Sequence, residues 1–381
     1  MREADMTRTA HVIGAGIGGL ATAAALAKRG WKTTVHERGG ELREIGAGIY
    51  IKANSIRVLR QIDCFEEVVA NGTLIKHSEI RDHTGRAINA RTMAKEEGVY
   101  TVLRADLHRE LAEAAERCGV EVVTNSEVAK VTPEGRIETS SGKVYQADLI
   151  VGADGANSLV RKEIGAEVRA GPMISGSTRI LIPRVPEDGD GLSYENWHHH
   201  MRALVVPVTE TLTYICASAR EDDRRATAIP FDIDYWTAAF PKLAGVFARV
   251  DPNNALHHRH SSVRVSHWSR GCVAILGDAV HAQPPNFGQG AGLAIANGGA
   301  LADFMDPAGD VQQNLAAWEA ARRPVTEEVQ RWSENWDHFM HRWPTSVEEL
   351  RSAAVWLLAN VPVTRRRWGL LYKGETSQRA A

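Results

Sequence analysis

A glycine-rich turn between a strand and a helix, near the start of the chain, constrains its fold more than any other stretch. Residues 11–13 end a short strand, residues 14–19 read G-x-G-x-x-G, and residues 20–29 are rich in helix-forming alanine and leucine. Residues 32–37 are again β-branched and strand-like. Such a β-α-β unit joins two parallel strands, so the sequence predicts an α/β domain built on a parallel sheet.

Each residue of this turn has a physical role in binding a dinucleotide. Gly14 permits the tight turn, Gly16 lets the backbone approach a pyrophosphate, and Gly19 lets the helix pack closely on the strand. Ile17 follows at the helix N-terminus, whose free amides attract phosphate. Glu37 ends the next strand, where a carboxylate can bind an adenosine ribose. The alternative is a tight β-α turn that binds no ligand.

A second glycine cluster follows the apolar run of residues 272–276. Five glycines fall within twelve residues: Gly288, Gly290, Gly292, Gly298 and Gly299. A glycine inside a helix costs about 1 kcal/mol relative to alanine, so something must approach the backbone closely here. Asp278, at the end of the preceding strand, can accept hydrogen bonds from ligand hydroxyls. Its alternative role is the N-cap of the glycine-rich helix.

The composition fits a globular enzyme and argues against several other classes. Hydrophobic residues make up 44% of the chain, which is typical of globular proteins. Its length of 381 residues is enough for two domains or for one domain with a large insertion. A net charge of −2 argues against a nucleic acid or an anionic membrane as the main partner. The sequence shows no apolar stretch near the ~20 residues that span a bilayer, no signal-peptide core and no C-x-x-C pair. We therefore expect a cytoplasmic protein.

The rest of the chain divides into segments with different predicted secondary structure. Residues 143–151 and 264–276 each read as a buried strand, and residues 178–219 form extended runs joined by turn residues. From residue 315 onward the chain is mostly helical and rich in tryptophan. The sequence contains no internal repeat and no low-complexity linker, so the parts are expected to interleave.

Further motifs distinguish between NAD and FAD. Arg43 precedes a glycine cluster, Arg104 begins a helix, and both Asp154 and the Gly277-Asp278 pair end strands. In this order, over nearly the whole chain, the set resembles the FAD-dependent aromatic hydroxylases. These are single-component flavoprotein monooxygenases of the salicylate and 4-hydroxybenzoate hydroxylase type. The residues predicted to bind FAD are Gly14, Gly16, Ile17, Gly19, Glu37, Arg38, Arg43, Gly48, Arg104, Asp154, Gly277, Asp278, Gly288, Gly290 and Ala291.

The resemblance implies a reaction and an architecture. NAD(P)H, a transient co-substrate, reduces FAD; oxygen then forms a flavin C4a-hydroperoxide that hydroxylates a small aromatic or N-heteroaromatic acid, with or without ring opening. The expected fold is a Rossmann-like FAD-binding domain interleaved with a β-sheet substrate domain and followed by helices. Residues 1–170, with a substrate-domain excursion at about 70–100, and 263–305 form the FAD domain. Residues 171–262 form the substrate region and residues 306–381 the C-terminal helices.

Within the family, the pocket is most similar to that of the oxygenase acting on 2-methyl-3-hydroxypyridine-5-carboxylate. This similarity implies that Arg202 pairs bidentately with a substrate carboxylate and that Tyr50 and Tyr214 bond the ring hydroxyl or nitrogen. His77 or Ser78 stands where that enzyme has a further tyrosine, and Pro284 forms a wall of the flavin pocket. Each has a structural alternative: strand packing for the tyrosines, a solvated strand position for Arg202 and a surface position for His77.

Other functions stay open at this point. The histidines at 198–200 and at 257, 258 and 260 have no acidic or cysteine partner at helical spacing, so we expect no metal site. The functional alternatives are another FAD-dependent oxidase or epoxidase on the same scaffold and a non-catalytic flavin-binding regulator. We expect a monomer or a homodimer. The sequence leaves open which ring is oxidised, whether NADH or NADPH is the co-substrate, and which base activates the substrate.

Overall fold

Four β-sheets and the helices packed on them form the part of the chain that the computed structural model describes, residues 7–44, 46–93, 98–364 and 369. The strands are β1 (Thr9–Ile13), β2 (Lys32–His36), β3 (Gly48–Ile51), β4 (Thr73–Leu74), β5 (His77–Arg81), β6 (Ala87–Thr92), β7 (Tyr100–Leu103), β8 (Glu121–Val123), β9 (Val128–Val131), β10 (Arg136–Thr139), β11 (Val144–Gln146), β12 (Leu149–Gly152), β13 (Glu167–Pro183), β14 (Leu192–His198), β15 (Met201–Pro207), β16 (Leu212–Arg220), β17 (Leu256–Val265), β18 (Ser269–Arg270) and β19 (Val273–Ile275). The α-helices are α1 (Ile17–Lys28), α2 (Ala53–Gln61), α3 (Phe65–Val69), α4 (Arg104–Arg117), α5 (Leu159–Glu163), α6 (Ile233–Ala239), α7 (Ala244–Phe247), α8 (Asp278–His281), α9 (Gly290–Phe304), α10 (Val311–Arg342) and α11 (Glu348–Asn360).

The six-stranded sheet carries the glycine motif. Its order is β18-β19-β12-β1-β2-β8, and β1 pairs in parallel with both β12 and β2. Helices α4 and α9 both pack against α1 beside it. Strand β12 is buried along its whole length, as expected for a parallel strand covered on both faces. The predicted Rossmann-like α/β fold is confirmed.

The seven-stranded sheet has the order β17-β13-β16-β15-β14-β5-β6. Its strands are antiparallel except that β5, which lies before residue 100, pairs in parallel with β14. The sheet therefore draws on two separated segments of the chain, and the FAD-binding part is interleaved with it as predicted. The domain boundaries themselves stay a prediction.

Two stretches predicted as single strands are divided. Residues 143–151 form β11 and β12, which lie in different sheets. Asp148, between them, accepts a hydrogen bond from the Thr9 backbone N–H at 2.8 Å, which fixes the start of β12 beside β1. Residues 264–276 form the end of β17, then β18 and β19, because Gly271 at φ +60° turns the chain back on itself.

Helix α10 joins the two large sheets. Near its start, the Trp318 indole N–H donates to the Asn297 carbonyl of α9 at 3.0 Å. Near its end, the Asp337 carboxylate accepts a hydrogen bond from Ser175 of β13 at 2.8 Å. Within the described ranges, no helix is both long and apolar enough to cross a membrane. The predicted C-terminal segment contains α10 and α11, and its residues 365–368 and 370–381 lie outside the described part.

The glycines of α9 allow it to pack closely on α1. A Cβ added at Gly298 would lie 2.0 Å from Thr22 Oγ1 and 3.3 Å from the Thr22 Cα, so the α1 backbone itself would have to move. Asn297, fully buried beside it, accepts a hydrogen bond from the Arg322 Nε at 2.9 Å. An amide at this position therefore connects α9 to α10.

The contact between α9 and α1 can be tested with Gly298→Ala. Overpacking should lower the free energy of unfolding by about 1–3 kcal/mol, whereas an ordinary helical glycine-to-alanine change stabilises by up to about 1 kcal/mol. Gly245→Ala, in α7 with no described atom within 4 Å of the added Cβ, is the control and should not destabilise. The midpoint of thermal unfolding distinguishes the two, and equal midpoints would contradict the proposed packing.

Candidate active site

A cavity of about 360 Å³ lies where the glycine motif, the start of α9 and the seven-stranded sheet meet. The predicted FAD-binding residues that line it are Gly16, Ile17, Gly48, Arg104, Gly277, Asp278, Gly288, Gly290 and Ala291. The predicted substrate residues that line it are Tyr50, Arg202 and Tyr214. The predicted residues outside its lining are Gly14, Gly19, Glu37, Arg38, Arg43, Asp154, His77 and Pro284.

The glycines of the first motif divide into two kinds. A Cβ at Gly14 (φ +102°) would lie 2.5 Å from the Ala153 carbonyl oxygen, and one at Gly19 would lie 2.0 Å from the Gly14 oxygen. These two glycines are required by the packing of β1, α1 and β12. At Gly16 and Gly290 no described atom lies within 4 Å of the Cβ position. Both line the cavity, so a ligand can approach the bare backbone there, as the pyrophosphate and ring of FAD require.

Helix α9 presents its N-terminus to the cavity. It begins at Gly290, with Gln289 at the N-cap, and its first-turn amides lie at the cavity wall. The positive end of a helix of this length stabilises negative charge. Gly288 adopts φ +57°, and its Cβ position is 3.1 Å from the Tyr50 ring. The glycine therefore allows both the turn before α9 and the close packing of Tyr50.

Asp278 lies in the cavity wall within the first turn of the short helix α8, after Gly277 at φ +64°. The N-cap of the glycine-rich helix is Gln289, so the alternative role considered for Asp278 is wrong. His281, one turn later, is almost completely buried, and burial lowers its pKa. Asp278 thus lies at the edge of the cavity, one turn before a buried histidine.

Glu37 stabilises the glycine-rich turn after β1 through hydrogen bonds to the backbone. Its two carboxylate oxygens accept hydrogen bonds from the Ala15 and Gly39 backbone N–H groups at 2.9 and 2.8 Å. Those bonds fix the turn, and the predicted contact with a ribose stays a prediction.

Two other predicted FAD contacts have protein partners. Asp154 accepts hydrogen bonds from the Leu159 and Val160 amides at 2.7 and 3.1 Å, which stabilises the start of α5. Arg43 is exposed and lies 3.4 Å from Glu41. Their roles toward the cofactor also stay predictions.

Arg202 lies in the cavity wall and is already paired. Its Nε and Nη2 donate to the two oxygens of Glu195 at 2.9 and 2.7 Å, and its Nη1 donates to Asn286. Burial opposes the charge of Arg202, but Glu195 raises its pKa above the ordinary value. Arg202 was predicted to pair bidentately with a carboxylate of the substrate, but in the structure Glu195 of the protein itself pairs with it in this way.

The tyrosines and Arg179 complete the wall on the side of the seven-stranded sheet. Tyr50 shares a hydrogen bond of 2.7 Å with the Ser193 hydroxyl. Burial raises the pKa of Tyr214 well above its ordinary value, so its phenol stays neutral. A Cβ at Gly48 would lie 2.6 Å from the Tyr214 ring, which explains the glycine. Arg179, half-buried on β13, also lines the cavity, and no carboxylate among the described residues pairs with it.

His77 and Pro284 lie elsewhere. The His77 side chain is exposed on β5, with its Nδ1 3.4 Å from the Thr92 hydroxyl, and a catalytic role for it stays a prediction without support from this position. The carbonyl of Pro284 accepts a hydrogen bond from the Ser333 hydroxyl of α10 at 2.5 Å. Pro285, its neighbour, lines the cavity.

Sequence reasoning missed Glu195, Arg179 and Ser218, all of which line the cavity. One signal for Glu195 is present: with β14 and β15 in a hairpin, the register pairs Trp197 with Arg202. Residues two apart share a face of a strand, so Glu195 lies diagonally opposite Arg202.

A second missed feature involves the histidines at the turn of that hairpin. Glu348, the first residue of α11, lies beside His198 and His199, and their ligand atoms are within 4.8 Å of one another. The expectation of no metal site rested on local spacing and did not include this long-range partner.

Similarity to known proteins agrees with this geometry. The family model described as FAD binding domain matches residues 6–333. A probable 2-heptyl-3-hydroxy-4(1H)-quinolone synthase of Rhodococcus erythropolis is 36% identical over 336 residues, covering 86% of this chain and 87% of the relative. The 2-heptyl-3-hydroxy-4(1H)-quinolone synthase of Mycobacteroides abscessus is 36% identical over 332 residues, covering 84% and 88%.

Among solved structures, the tetrameric form of 2-methyl-3-hydroxypyridine-5-carboxylic acid oxygenase superposes with a TM-score of 0.82. It is 32% identical and covers 87% of this chain and 91% of its own. The oligomeric state of the present chain, predicted as a monomer or homodimer, stays a prediction.

The open space before Gly16 generates a test of cofactor binding. In Gly16→Val the added Cβ has no described protein atom within 4 Å beyond its chain neighbours, and the side chain occupies the space from which a ligand reaches the backbone. We expect FAD affinity to fall at least tenfold, equivalent to about 1.4 kcal/mol, with little change in the unfolding midpoint of the FAD-free protein. Gly171→Val, equally open but outside the cavity, is the control. Unchanged FAD affinity in Gly16→Val, measured by flavin fluorescence, would contradict the placement.

Proposed function

The chain belongs to the FAD-binding-domain family of FAD-dependent aromatic hydroxylases, and we propose that it hydroxylates a neutral, alkyl-substituted 4(1H)-quinolone ring. Family membership confirms the resemblance, the monooxygenase class and FAD as the cofactor with NAD(P)H as co-substrate. Action on an aromatic ring is shared by the relatives. The quinolone is the finer step and is the proposal.

The overall reaction inserts one oxygen atom of O2 into a ring C–H bond and reduces the other to water. NAD(P)H supplies the two electrons, and one solvent proton is consumed. FAD, when bound, supplies the chemistry that activates oxygen. The residues of this chain bind and orient the ring, exclude water and control its proton.

The Arg202–Glu195 pair is the observation that carries the proposal. A substrate carboxylate could use Arg202 only by displacing Glu195 from a buried, bidentate ion pair. Leaving one member of such a pair unpaired costs about 3–5 kcal/mol. With both charges in place, Arg202 offers the cavity no uncompensated charge, which favours a neutral ring at this position.

A second chamber, of about 1110 Å³, continues from this wall. It shares Arg202, Glu195, Leu204, Asn286 and Phe287 with the first cavity. Its lining is mixed: the further polar residues are Ser78, Glu79, Asn89, Arg91, Thr92 and Asn360, and the further apolar residues are Ile80, Ala87, Ile88, Ala90, Met93, Trp336, Trp356, Ala359 and Pro362. A ring held in the first cavity can extend an aliphatic chain along the apolar residues of this chamber, which supports a substrate like the heptyl compound in the relatives' names.

A small aromatic acid is the second candidate, and Arg179 favours it. This guanidinium lines the cavity without a carboxylate partner among the described residues. It is therefore available to an anionic group, either of a substrate acid or of the cofactor's phosphates.

A substrate panel separates the two candidates. The FAD-loaded enzyme is assayed for NADH and NADPH oxidation with 2-heptyl-4(1H)-quinolone, 6-hydroxynicotinate, a 3-hydroxypyridine carboxylate and salicylate, and products are identified by mass spectrometry. We expect the quinolone to accelerate oxidation and to gain one oxygen atom. Because each buried methylene contributes about 0.8 kcal/mol, shortening the alkyl chain should raise KM about fourfold per methylene.

Three other outcomes would overturn the proposal. Acceleration by the acids alone would favour the second candidate. A KM for the quinolone that does not depend on the length of its alkyl chain would show that the second chamber does not bind the chain. Hydrogen peroxide without any oxygenated product would favour the oxidase or regulator alternatives.

The effect of the Arg202–Glu195 ion pair on substrate charge is tested by Glu195→Gln. This variant keeps the side-chain shape but leaves the Arg202 charge uncompensated. We expect binding of 6-hydroxynicotinate to tighten at least tenfold and KM for the quinolone to rise. Glu319→Gln, which changes the ion pair with Arg323 outside the cavity, serves as the matched control. Unchanged acid affinity in Glu195→Gln would show that the pair does not set substrate charge.

A further inference from the structure

A row of buried hydroxyl and imidazole groups leads away from the cavity. Ser218, on β16, lines the cavity, and its hydroxyl oxygen lies 2.7 Å from the hydroxyl of Ser177 on β13. The Ser177 hydroxyl in turn lies 2.7 Å from Nε2 of His260 on β17. These side chains are at most 7% exposed, so bulk water does not compete for their hydrogen bonds.

The row ends at a carboxylate. The His260 Nδ1 lies 3.0 Å from the hydroxyl of Ser175, and that hydroxyl lies 2.8 Å from both oxygens of Asp337 on α10. Ser175 and Asp337 are completely buried. Three adjacent strands and one helix therefore contribute to one continuous hydrogen-bonded row between Asp337 and the cavity.

The carboxylate determines the direction of every hydrogen bond in the row. An ionised Asp337 only accepts, so Ser175 must donate to it and can only accept from His260. The neutral His260 then carries its proton on Nδ1, and its Nε2 accepts from Ser177. Ser177 has one proton, so Ser218 must donate to Ser177. The row therefore presents the Ser218 oxygen to the cavity as a hydrogen-bond acceptor.

We propose that Ser218, Ser177 and His260 form a relay that accepts the ring proton of the substrate, with Ser175 and Asp337 fixing its direction. The proposal rests on the proposed function, because it assigns the base that makes the ring nucleophilic. Ser218 is the catalytic residue, since it lines the cavity. The other four are positioning residues.

The proton step is balanced within the protein. The N–H or O–H bond of the ring breaks, and its electron pair stays on the ring. The ring proton moves to the Ser218 oxygen, the Ser218 proton moves to Ser177, and the Ser177 proton moves to His260 Nε2. The product is an imidazolium 3.8 Å from the Asp337 carboxylate, and the reversed row now makes Ser218 a donor toward the cavity. No electron is gained or lost in this step.

The charges around His260 support its role as acceptor. Burial lowers the pKa of His260, against an opposing effect of Asp337, so the imidazole is neutral at neutral pH. Burial would raise the pKa of Asp337, but its contacts with His260, His341 and Ser175 hold it at about 2. The other titratable or charged groups that interact with the pair are His341 of α10, Arg202 of β15, Arg179 of β13 and His258 of β17.

The relay is tested by Ser177→Ala, which interrupts the row without touching the cavity. With the quinolone, or whichever ring the substrate panel identifies, we expect kcat to fall about 100-fold at pH 7 with KM unchanged. In the wild type, kcat should be flat across neutral pH and fall only below the ordinary histidine pKa of about 6.5, because burial lowers the pKa of His260 and the imidazole becomes protonated only at lower pH. In Ser177→Ala, kcat should instead rise with pH because solvent must take the proton.

Two control variants separate the relay from packing. Ser218→Thr keeps a hydroxyl and should retain most of kcat, whereas Ser218→Ala should behave like Ser177→Ala. Thr178→Ala lies next to Ser177 on β13 but contacts His257, and it should leave the pH profile unchanged. A purely structural role would lower the unfolding midpoint without changing the pH profile. A wild-type profile in Ser177→Ala would overturn the relay.

The hydrogen-bond direction has a readout that needs no turnover. In FAD-loaded protein labelled with ¹⁵N-histidine and assigned with His260→Gln, we expect His260 as the Nδ1–H tautomer at pH 7. In Asp337→Asn that preference should be lost, because an amide can donate to Ser175. An Nε2–H tautomer in the wild type would overturn the relay even if the quinolone is the substrate. Inactivity toward the quinolone with the Nδ1–H tautomer present would overturn only the substrate.

Discussion

Close contact between backbones at glycine is the constraint on which the rest of the structure depends. Gly14 and Gly19 bring β1, α1 and β12 together at distances that a Cβ would prevent. Gly298 does the same for α9 against α1. Because both helices are held so near the sheet, their N-termini open into one cavity, where the Cβ positions of Gly16 and Gly290 are free of contacts with described protein atoms. Packing and ligand approach are thus carried by different glycines of the same motifs.

Helix α10 fixes the second half of the site relative to the first. It binds Asn297 of α9 through Trp318 and Arg322, and it reaches the seven-stranded sheet through Asp337. The wall that carries Arg202 and Ser218 therefore has a defined position relative to the start of α9. Alternate residues of a strand face opposite sides of the sheet. A one-residue shift in the register of β13 and β16 would therefore turn the Ser177 and Ser218 side chains away from His260.

The sequence predicted those parts of the molecule in which the partners are neighbours along the chain. The β-α-β unit, Gly16 and the Gly277-Asp278 turn belong to this group, because a turn and the ends of its elements form a local pattern. Glu195 beside Arg202 depends on the register of the β14–β15 hairpin, and Glu348 beside His198 depends on a pairing between distant segments, which spacing does not encode. His77 shows a different limit: residues 70–100 were predicted to join the substrate domain, but nothing local specified that β5 lies near the edge of the seven-stranded sheet, outside the lining of the cavity.

The cavity divides its charge between its two ends. At the cofactor end, the N-termini of α1 and α9 provide positive potential without a side chain, which suits the phosphates of FAD. At the opposite end, the positive charge of Arg202 is cancelled by Glu195, and the row that starts at Asp337 delivers an acceptor, not a charge, through Ser218. A neutral ring that donates a proton fits this end better than an anion does, because an anion would meet the lone pairs of Ser218. The direction of a buried hydrogen-bond row and the pairing of one arginine thus favour the same kind of substrate.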